Sequence, residues 1–561
     1  PLMGGSDPSG EWNLFPEECA VLIGTQDMLL SRALNRGYAA GRARWPQEFG
    51  LLSHDALWVL DEVQLMDVGL ATSAQAQAFF DDDSPKGLRP RLSWWMSATL
   101  QPSWLESVDT RHRHAEWVAE PTTVPAQELE SGLGAVNKSL AVDTVDEQDA
   151  VGFARRIVAQ HAQLSDGDNG RITLVVCNTV KRARDTFDAV SEQAPDQEVH
   201  LVHGRFRPVE RQGWRTIFLS REACHRGVNR IIVATQVVEA GVDMSAGCLV
   251  TELAPWSSLV QRFGRCARYG GTGTVLVVDR GTDDKAARPY QPDELRAASE
   301  AIRRISTAGA NVGIARLEAF ERGLDDAALK ALYPYEPKHL IIRREFDELF
   351  DTTPDLTGAD IDISRFVRAS EDRDLQVFWL DLPKPSGREH LPEPPTTRQP
   401  RREELCAVPF LTARDWLCGE ESKTQRKPRL RSGKRAWVWD WLDGQWIVAE
   451  RALLSPGRVV CVSSDSGGYD AVRGFDAESR ISVPEVPVLD VERPGDVETQ
   501  ADTSVGGDDV SQGRWKTIAC HSDEVVAGVT VLADALGVSS EVRPALLVAA
   551  RWHDAGKAHP A

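Results

Sequence analysis

The sequence predicts an α/β protein built on parallel β-sheets, and two observations carry this prediction. Nearly uninterrupted apolar runs, such as Ala56–Leu60 and Ile172–Cys177, are typical of strands that are covered on both faces. Segments with apolar residues at helical spacing, such as Leu70–Phe80, lie between these runs. Because strands and helices alternate, neighbouring strands are expected to run parallel. A chain of 561 residues is long enough for several such units.

Composition argues against secreted and membrane proteins. The nine cysteines form no CxxC pair, and an odd number does not suit a disulfide framework. No run approaches the roughly 20 apolar residues of a membrane helix, so we expect a cytoplasmic protein without a membrane partner. The net charge of −20 argues against binding nucleic acid over the whole surface, although a local groove can still be basic.

Two adjacent carboxylates, Asp61 and Glu62, follow the Ala56–Leu60 run directly. The carboxyl ends of parallel strands face the ligand crevice, where one acid can hold a nucleotide-bound Mg²⁺ and the next can orient the attacking water. The same pair is also found in ordinary solvated turns. No GxxxxGK[ST] phosphate loop occurs in the sequence, so either the chain begins within a domain or the ATPase interpretation is wrong.

Two further turns belong to this first α/β region. A predicted strand at Ala20–Ile23 leads through Gly24 and Thr25 into a helix, whose first amides can bind a phosphate or can simply form a capped helix start. A second strand, Arg91–Met96, is followed by Ser97-Ala98-Thr99, whose hydroxyls can bond the neighbouring carboxylates or form a plain turn.

A second α/β region carries the most informative motifs. A strand at Val199–Val202 ends in His203-Gly204-Arg205, and a strand at Ile231–Ala234 ends in Thr235, which is predicted to open a helix. The chain then reverses through Gly241 and Asp243. Gln261 to Arg268 are predicted to lie on the next helix, where Arg265 and Arg268, three positions apart, share a face and can reach one phosphate. Solvated helices also show this spacing.

The order of these motifs resembles that of superfamily 2 helicases, with ATQVVEAGVD and QRFGRCAR similar to the fifth and sixth motifs. The resemblance implies two RecA-like motor domains that use ATP with Mg²⁺ held at Asp61. It implies that Arg265 and Arg268 are arginine fingers beside catalytic Asp61 and Glu62. It places Gln261, Gly241, Asp243, Ser97 and Thr99 near the nucleotide, and Gly24, Thr25, His203, Arg205 and Thr235 near a nucleic-acid strand.

The last fifty residues predict a different chemistry. His521 lies in a helical segment, and His553-Asp554 follows a second apolar helix, so the three side chains can begin a metal cage. Histidines in such places are more often capping or core residues. The string H…HD with the following Gly556-Lys557 resembles the HD phosphohydrolase superfamily, which implies Mn²⁺, Co²⁺, Ni²⁺ or Fe²⁺ on His521, His553 and Asp554, with Lys557 catalytic. The further ligands of that superfamily do not occur before Ala561.

A superfamily 2 motor joined to an HD domain resembles the CRISPR type I interference helicase–nuclease. The C-terminal HD segment and the stretch Leu349–Gly358 resemble subtype I-U, also called I-G. This resemblance implies an ATP-driven translocase that unwinds and degrades single-stranded DNA, displaced from an R-loop opened by an RNA-guided type I surveillance complex in a prokaryotic cytoplasm. The alternatives are a general superfamily 2 helicase without nuclease activity and an inactive fragment.

Changes in composition along the sequence suggest further domain and linker boundaries. Six prolines lie between Leu382 and Pro400, seven Lys or Arg residues lie in Lys423–Arg435, and aromatic and polar residues alternate around Asp443-Gly444, which predicts a hairpin. The predicted units are the first motor domain at 1–125, the second at 126–285, a helical extension at 286–380, a Pro-rich then basic linker at 381–435, a small β-rich accessory domain at 436–482, an acidic linker at 483–512, and the beginning of an all-α HD domain at 513–561.

Overall fold

The computed structural model describes residues 11–38, 40–83, 89–97, 100–119, 121–351, 361–368, 374–382, 394–395, 400–419, 436–440, 443–486 and 516–558. Thr99, most of the predicted Pro-rich segment, the basic run and most of the acidic linker therefore lie outside the described residues. The chain divides into two compact units. The first combines Pro1–Pro121, Tyr335–Glu371 and Val491–Ala561, and the second combines Thr122–Pro334 and Asp372–Asp490.

The N-terminal part of the first unit is a β-α-β arrangement. Its elements are α1 (Glu11–Leu14), α2 (Gln26–Ala33), α3 (Trp45–Ser53), β1 (Ala56–Leu60), α4 (Val68–Asp83), β2 (Arg91–Trp95) and α5 (Arg111–Trp117). Strands β1 and β2 pair in parallel, with Ala56 opposite Arg91. The parallel strands and the intervening helix predicted from the sequence are therefore confirmed.

Two details of this region differ from the sequence prediction. Strand β1 is covered on one face only, because Trp58 and Leu60 are buried whereas Leu57 is 50% exposed and Val59 is 53% exposed. The predicted strand at Ala20–Ile23 is wrong: the segment forms no strand, and Val21 is 87% exposed. An apolar run is compatible with a buried strand. It does not show whether the fold provides a partner strand for that segment.

In the second unit, β3 to β8 form a six-stranded sheet in the order β3-β8-β7-β4-β6-β5, and every pair in it is parallel. Phe153, Ile157, Val175 and Val233 pack in the core on this sheet. The predicted mixed α/β class is confirmed. The elements are α6 (Ala126–Leu129), β3 (Asn137–Thr144), α7 (Ala150–Ala162), β4 (Arg171–Val176), α8 (Val180–Gln193), β5 (Glu198–Val202), α9 (Pro208–Ile217), β6 (Asn229–Ala234), β7 (Cys248–Glu252), α10 (Trp256–Phe263), β8 (Thr272–Asp279), α11 (Pro292–Thr307), α12 (Ile314–Arg322) and α13 (Asp326–Leu332).

The region predicted as one helical extension is divided between the units. Helices α11 to α13 belong to the second unit, whereas α14 (Arg343–Glu348) and α15 (Ser364–Val367) belong to the first. Polar side chains of α4 hold this later segment: Thr72 donates to the Phe366 carbonyl at 2.6 Å, and Gln75 donates to the Ile341 carbonyl at 2.8 Å. Helical periodicity could not reveal this division, because it depends on contacts between distant residues.

A second sheet completes the second unit, in the order β10-β9-β13-β11-β12. The predicted hairpin around Gly444 is confirmed, because β11 and β12 pair in antiparallel fashion. The sheet is larger than predicted, since β9 and β10 come from segments assigned to the helical extension and the linker. The elements are β9 (Asp374–Leu380), β10 (Cys406–Pro409), α16 (Phe410–Cys418), β11 (Ala436–Asp440), β12 (Gln445–Val448), β13 (Val459–Ser463), β14 (Tyr469–Asp470) and β15 (Gly474–Phe475).

The C-terminal part of the first unit contains α17 (Ile518–Ala535) and α18 (Arg543–Trp552), which pack against each other. Thr517 caps α17 by accepting a hydrogen bond from the Cys520 amide. Helices of the described residues are all too short or too polar to cross a membrane.

Candidate nucleotide, nucleic-acid and metal sites

The carboxylates that follow β1 are linked to the end of β2 through a glutamine. Glu62 has a left-handed backbone with φ of 52°, and its amide donates to Asp61 Oδ1 at 3.0 Å. Gln64 Nε2 donates to Glu62 Oε2 at 2.6 Å, and Gln64 Oε1 accepts from the Ser97 hydroxyl at 2.6 Å. The predicted link between serine and carboxylate is therefore relayed through Gln64, a role that the sequence analysis did not assign.

The Gly-Thr turn before α2 is held in place by its neighbour. Thr25 is exposed, and its carbonyl accepts from the Leu29 amide at 3.1 Å. Gln26 Nε2 donates to the carbonyls of Met66 at 2.9 Å and Val367 at 2.5 Å. The Gly24-Thr25 turn is thus followed directly by a residue that is bonded to two distant segments of the same unit.

The two predicted arginine fingers do not share a helical face. Helix α10 ends at Phe263, whose carbonyl accepts from the buried Lys138 Nζ at 2.8 Å, so Arg265 and Arg268 lie in the turn that follows. Arg265 is 5% exposed, and its guanidinium donates to the Val238 and Glu239 carbonyls at 3.0 and 2.5 Å. The expectation of one shared face is therefore corrected by an early helix end.

Arg268 points outward in the same turn. Its Nε donates to Asp243 Oδ1 at 2.9 Å, and the two side chains are 42% and 57% exposed. The Arg268 hydrogen bond is the main reason that the pKa of Asp243 lies below its usual value. Gly241, with φ of 69°, forms the predicted chain reversal, whereas Gln261 is buried in the last turn of α10. Arg268 and Asp243 are thus the accessible pair of this motif.

Arg262, to which the sequence analysis gave no role, is the centre of a buried polar network. It is fully buried and donates to Glu239 Oε1 at 2.8 Å, Asn178 Oδ1 at 3.1 Å and the Thr251 hydroxyl at 2.8 Å. Because Asn178 and Thr251 follow or end neighbouring strands, this guanidinium fixes the carboxyl edge of the sheet to the turn at Glu239. The sequence offered one signal for this role, which is that Arg262 stands next to Gln261 in the QRFGRCAR string.

Glu252 is a second buried carboxylate of the same region, beside Glu239. It is 1% exposed and contacts Arg182 at 3.3 Å and Arg280 at 3.2 Å, and it accepts from the Asn178 amide at 2.7 Å. Removing this carboxylate takes a counter-charge away from both guanidinium groups, although Arg182 keeps a second ion pair with Glu147 at 3.2 Å.

We expect Glu252→Gln to lower the free energy of unfolding by about 3 kcal/mol, because two buried guanidinium groups lose their common anion. Denaturant unfolding measures this change. Glu318→Gln is a suitable control, since Glu318 forms an exposed pair with Arg322 at 3.0 Å on α12. Equal stability of the two variants would contradict the importance assigned to Glu252.

Two predicted nucleic-acid contacts lie inside the unit. Thr235 is 3% exposed and begins a single 3-10 turn rather than an α-helix. His203 is fully buried, which conflicts with a strand contact through its side chain. Gly204 and Arg205 are partly exposed. Sequence reasoning missed the burial of His203 because the covering residues lie about 270 positions later in the chain.

Burial and the nearby Arg205 and Arg184 side chains lower the pKa of His203 to about 3. Between the ordinary histidine value of about 6.5 and that value, the unfolded chain binds a proton that the folded chain does not bind. Stability is therefore expected to fall as the pH falls below about 6.5. Urea unfolding between about pH 7 and pH 5 should show a smaller loss for His203→Gln than for the wild type. An equal loss would contradict this assignment.

His521, His553 and Asp554 lie together at one point of the first unit. The two Nε2 atoms are 3.4 Å apart, and the Asp554 carboxylate oxygens lie 3.7 Å from His521 Nε2 and 3.6 Å from His553 Nε2. His521 lies on α17, and His553 follows α18. Lys557 Nζ donates to Asp554 at 2.9 to 3.0 Å and is the main reason that the pKa of Asp554 is lowered.

These three residues fit a divalent transition metal. Their ligand atoms all lie within 4.8 Å of one another. A separation of 3.4 Å between the nitrogens suits two metal bonds of about 2.1 Å. His553 Nδ1 lies 2.9 Å from the Ala550 carbonyl, so this nitrogen carries the proton and Nε2 presents its lone pair to the cluster. The geometry matches that of an oriented metal ligand.

Part of the chain is similar to helicases. Residues 169–271, which contain the arginine turn, match the family described as CRISPR-associated nuclease/helicase Cas3, C-terminal. A Cas3 nuclease/helicase of Streptococcus thermophilus is 32% identical over 104 residues, which are 18% of this chain and 11% of that protein. The ATP-dependent DNA helicase RecG of Escherichia coli O127:H6 is 26% identical over 254 residues, 41% of this chain and 34% of that protein.

Among solved structures, T. fusca Cas3 with AMPPNP has a TM-score of 0.49 and 16% identity, covering 81% of this chain and 56% of that one. The chain spans less than two thirds of the length of these relatives. Residues 169–271 are the segment for which similarity to helicases is shown. Within that class, its similarity is to the C-terminal helicase part of Cas3.

Proposed function

We propose that this chain is part of an ATP-dependent single-stranded DNA translocase of the Cas3 type, coupled to a metal-dependent HD nuclease. The observation that carries the proposal is the match of residues 169–271, because this segment contains both motif strings and the turn that orients Arg265 and Arg268. The protein would act in a prokaryotic cytoplasm on the strand that an RNA-guided type I surveillance complex displaces.

In the motor, each candidate residue would have a distinct task. Asp61 would hold the Mg²⁺ of ATP, and Glu62 would orient the attacking water, with its carboxylate fixed by Gln64. Arg268 would neutralise charge on the γ-phosphate, because its guanidinium is exposed and its ion pair with Asp243 is open to solvent. Arg265 would hold the turn from which Arg268 projects.

In the nuclease, His521, His553 and Asp554 would hold Mn²⁺, Co²⁺, Ni²⁺ or Fe²⁺. Such an ion supplies a Lewis acid and an activated water for phosphodiester hydrolysis. The Ala550 carbonyl keeps the His553 imidazole oriented. Lys557 holds the Asp554 carboxylate and provides positive charge near a substrate phosphate. The convergence of His521 on α17 with His553 and Asp554 just after α18 supports this assignment over chance placement of histidines.

A general helicase without a nuclease is the second candidate. The RecG match favours it, because that alignment covers 41% of the chain and concerns a DNA helicase. The two candidates differ at the C-terminal cluster. In the native polypeptide, the first predicts degradation of single-stranded DNA with Mn²⁺, and the second predicts unwinding alone.

One assay of the native polypeptide tests both activities. ATP hydrolysis is measured with and without single-stranded DNA, and cleavage of labelled DNA is measured with Mg²⁺, Mn²⁺, Co²⁺ or Ni²⁺. DNA-stimulated hydrolysis together with metal-dependent cleavage supports the first candidate. Hydrolysis without cleavage supports the second, and a lack of stimulation by DNA refutes both.

A further inference from the structure

The loop between β5 and α9, residues 203–207, is bonded along its length to the β14–β15 hairpin, residues 469–475. His203 Nε2 lies 3.1 Å from the Arg473 carbonyl, and the Phe475 amide donates to the Arg205 carbonyl at 2.9 Å. The Arg207 amide donates to the Tyr469 hydroxyl at 3.0 Å. Alternate residues of the loop are thus each bonded to the hairpin.

The histidine in this interface has a defined tautomer. His203 Nδ1 accepts from the Arg205 amide at 3.2 Å, so the proton of the neutral ring lies on Nε2, which donates to the Arg473 carbonyl. Both ring nitrogens are therefore satisfied inside the unit. The imidazole acts as a rigid link between the start of the loop and the hairpin.

Charged side chains reinforce the same contact. The Arg207 guanidinium lies 4.6 Å from the centre of the Tyr469 ring. On helix α8, Arg184 pairs with Asp476 at 2.8 Å, and Asp188 pairs with Arg473 at 2.6 Å. The hairpin therefore holds both the loop and the helix that precedes β5.

Gly474 allows the closest approach between the two segments. Its φ is 71°, and a Cβ built on it would lie 2.6 Å from the Arg205 carbonyl oxygen and 2.6 Å from His203 Cε1. Neither atom can move away easily, because the oxygen belongs to the backbone and Cε1 belongs to a buried ring. A side chain at this position would displace the loop from the hairpin.

We propose that the β14–β15 hairpin positions the 203–207 loop so that Gly204 and Arg205 contact single-stranded DNA. Tyr469 and Gly474 are then positioning residues, because they touch the loop and not the strand. Gly204 and Arg205 remain partly exposed, while their neighbours on each side are buried. The strand contact rests on the helicase function proposed above, whereas the positioning of the loop does not.

Gly474→Ala in the native polypeptide tests the proposal. We expect the concentration of oligothymidylate that gives half-maximal stimulation of ATP hydrolysis to rise about tenfold, because the loop loses its hydrogen-bonded support. The KM for ATP and the unstimulated hydrolysis rate should not change. Gly457→Ala is the matched control: its φ of 80° imposes similar backbone strain, but nothing lies within 4 Å of the added Cβ.

Tyr469→Phe is a milder second variant that keeps the ring under Arg207 and removes only the hydroxyl. Hydrogen exchange of the loop amides should become faster in this variant and in Gly474→Ala, but not in Gly457→Ala. Unchanged exchange would overturn the positioning role. Faster exchange with unchanged dependence on oligothymidylate would overturn the strand contact. If DNA does not stimulate the wild type, the proposed function fails, and hydrogen exchange still decides whether the hairpin holds the loop.

Discussion

Replacing Arg268 by alanine is expected to lower DNA-stimulated ATP hydrolysis by about a thousandfold, which is the usual magnitude for loss of an arginine finger. The reason is local: Arg268 is the exposed arginine of its turn, and its contact with Asp243 is an ion pair at 2.9 Å between partly exposed side chains. Such a pair is weak in water and can exchange for a phosphate. Steady-state hydrolysis by the native polypeptide measures the effect, with an unchanged melting temperature.

Arg322→Ala is the matched control for this prediction. Arg322 is also exposed and ion-paired, with Glu318 at 3.0 Å, and it lies on α12 in the same unit. Its loss should change the rate less than twofold, because exposed pairs contribute little. Hydrolysis by Arg268→Ala within a few-fold of the wild-type rate would remove the arginine-finger assignment.

Arg265→Ala separates turn formation from catalysis. Its guanidinium bonds two backbone carbonyls from a buried position, so the substitution leaves both without these donors. We expect ATP-dependent unwinding to stop, as for Arg268→Ala, but with a lower melting temperature as well. Metal-dependent nicking of free single strands should persist. This difference in stability distinguishes an arginine that holds the turn from one that reaches the nucleotide.

Sequence patterns predicted features that depend on neighbouring residues. The alternation around Gly444 predicted the β11–β12 hairpin because a tight turn and its two strands lie within one short segment. The apolar runs predicted parallel strands such as β4, β5 and β6, whereas the number and order of the strands in the sheet depend on pairings between distant segments. The residue types of His521 and His553-Asp554 predicted a metal cage, and the packing of α17 against α18 brings the three side chains together.

Features that depend on distant residues could not be predicted. Helical spacing placed Arg265 and Arg268 on one face, but α10 ends at Phe263, where the buried Lys138 of β3 bonds the last carbonyl. His203 was expected to be exposed because the hairpin that covers it follows much later in the chain. In both cases a partner more than a hundred residues away determines the local outcome, and no local pattern reports such a partner.

Replacing His553 by alanine is expected to abolish cleavage of single-stranded DNA while leaving ATP hydrolysis intact. The variant removes one of the nitrogens that converge at 3.4 Å and also the imidazole held by the Ala550 carbonyl. We expect Mn²⁺ affinity, measured by calorimetry, to fall by more than about a hundredfold. His112→Ala is the control, because it removes an imidazole that faces a single carboxylate, Asp82, at 3.1 Å. Undiminished cleavage by His553→Ala would refute the HD assignment, and unchanged Mn²⁺ binding would refute the metal cluster itself.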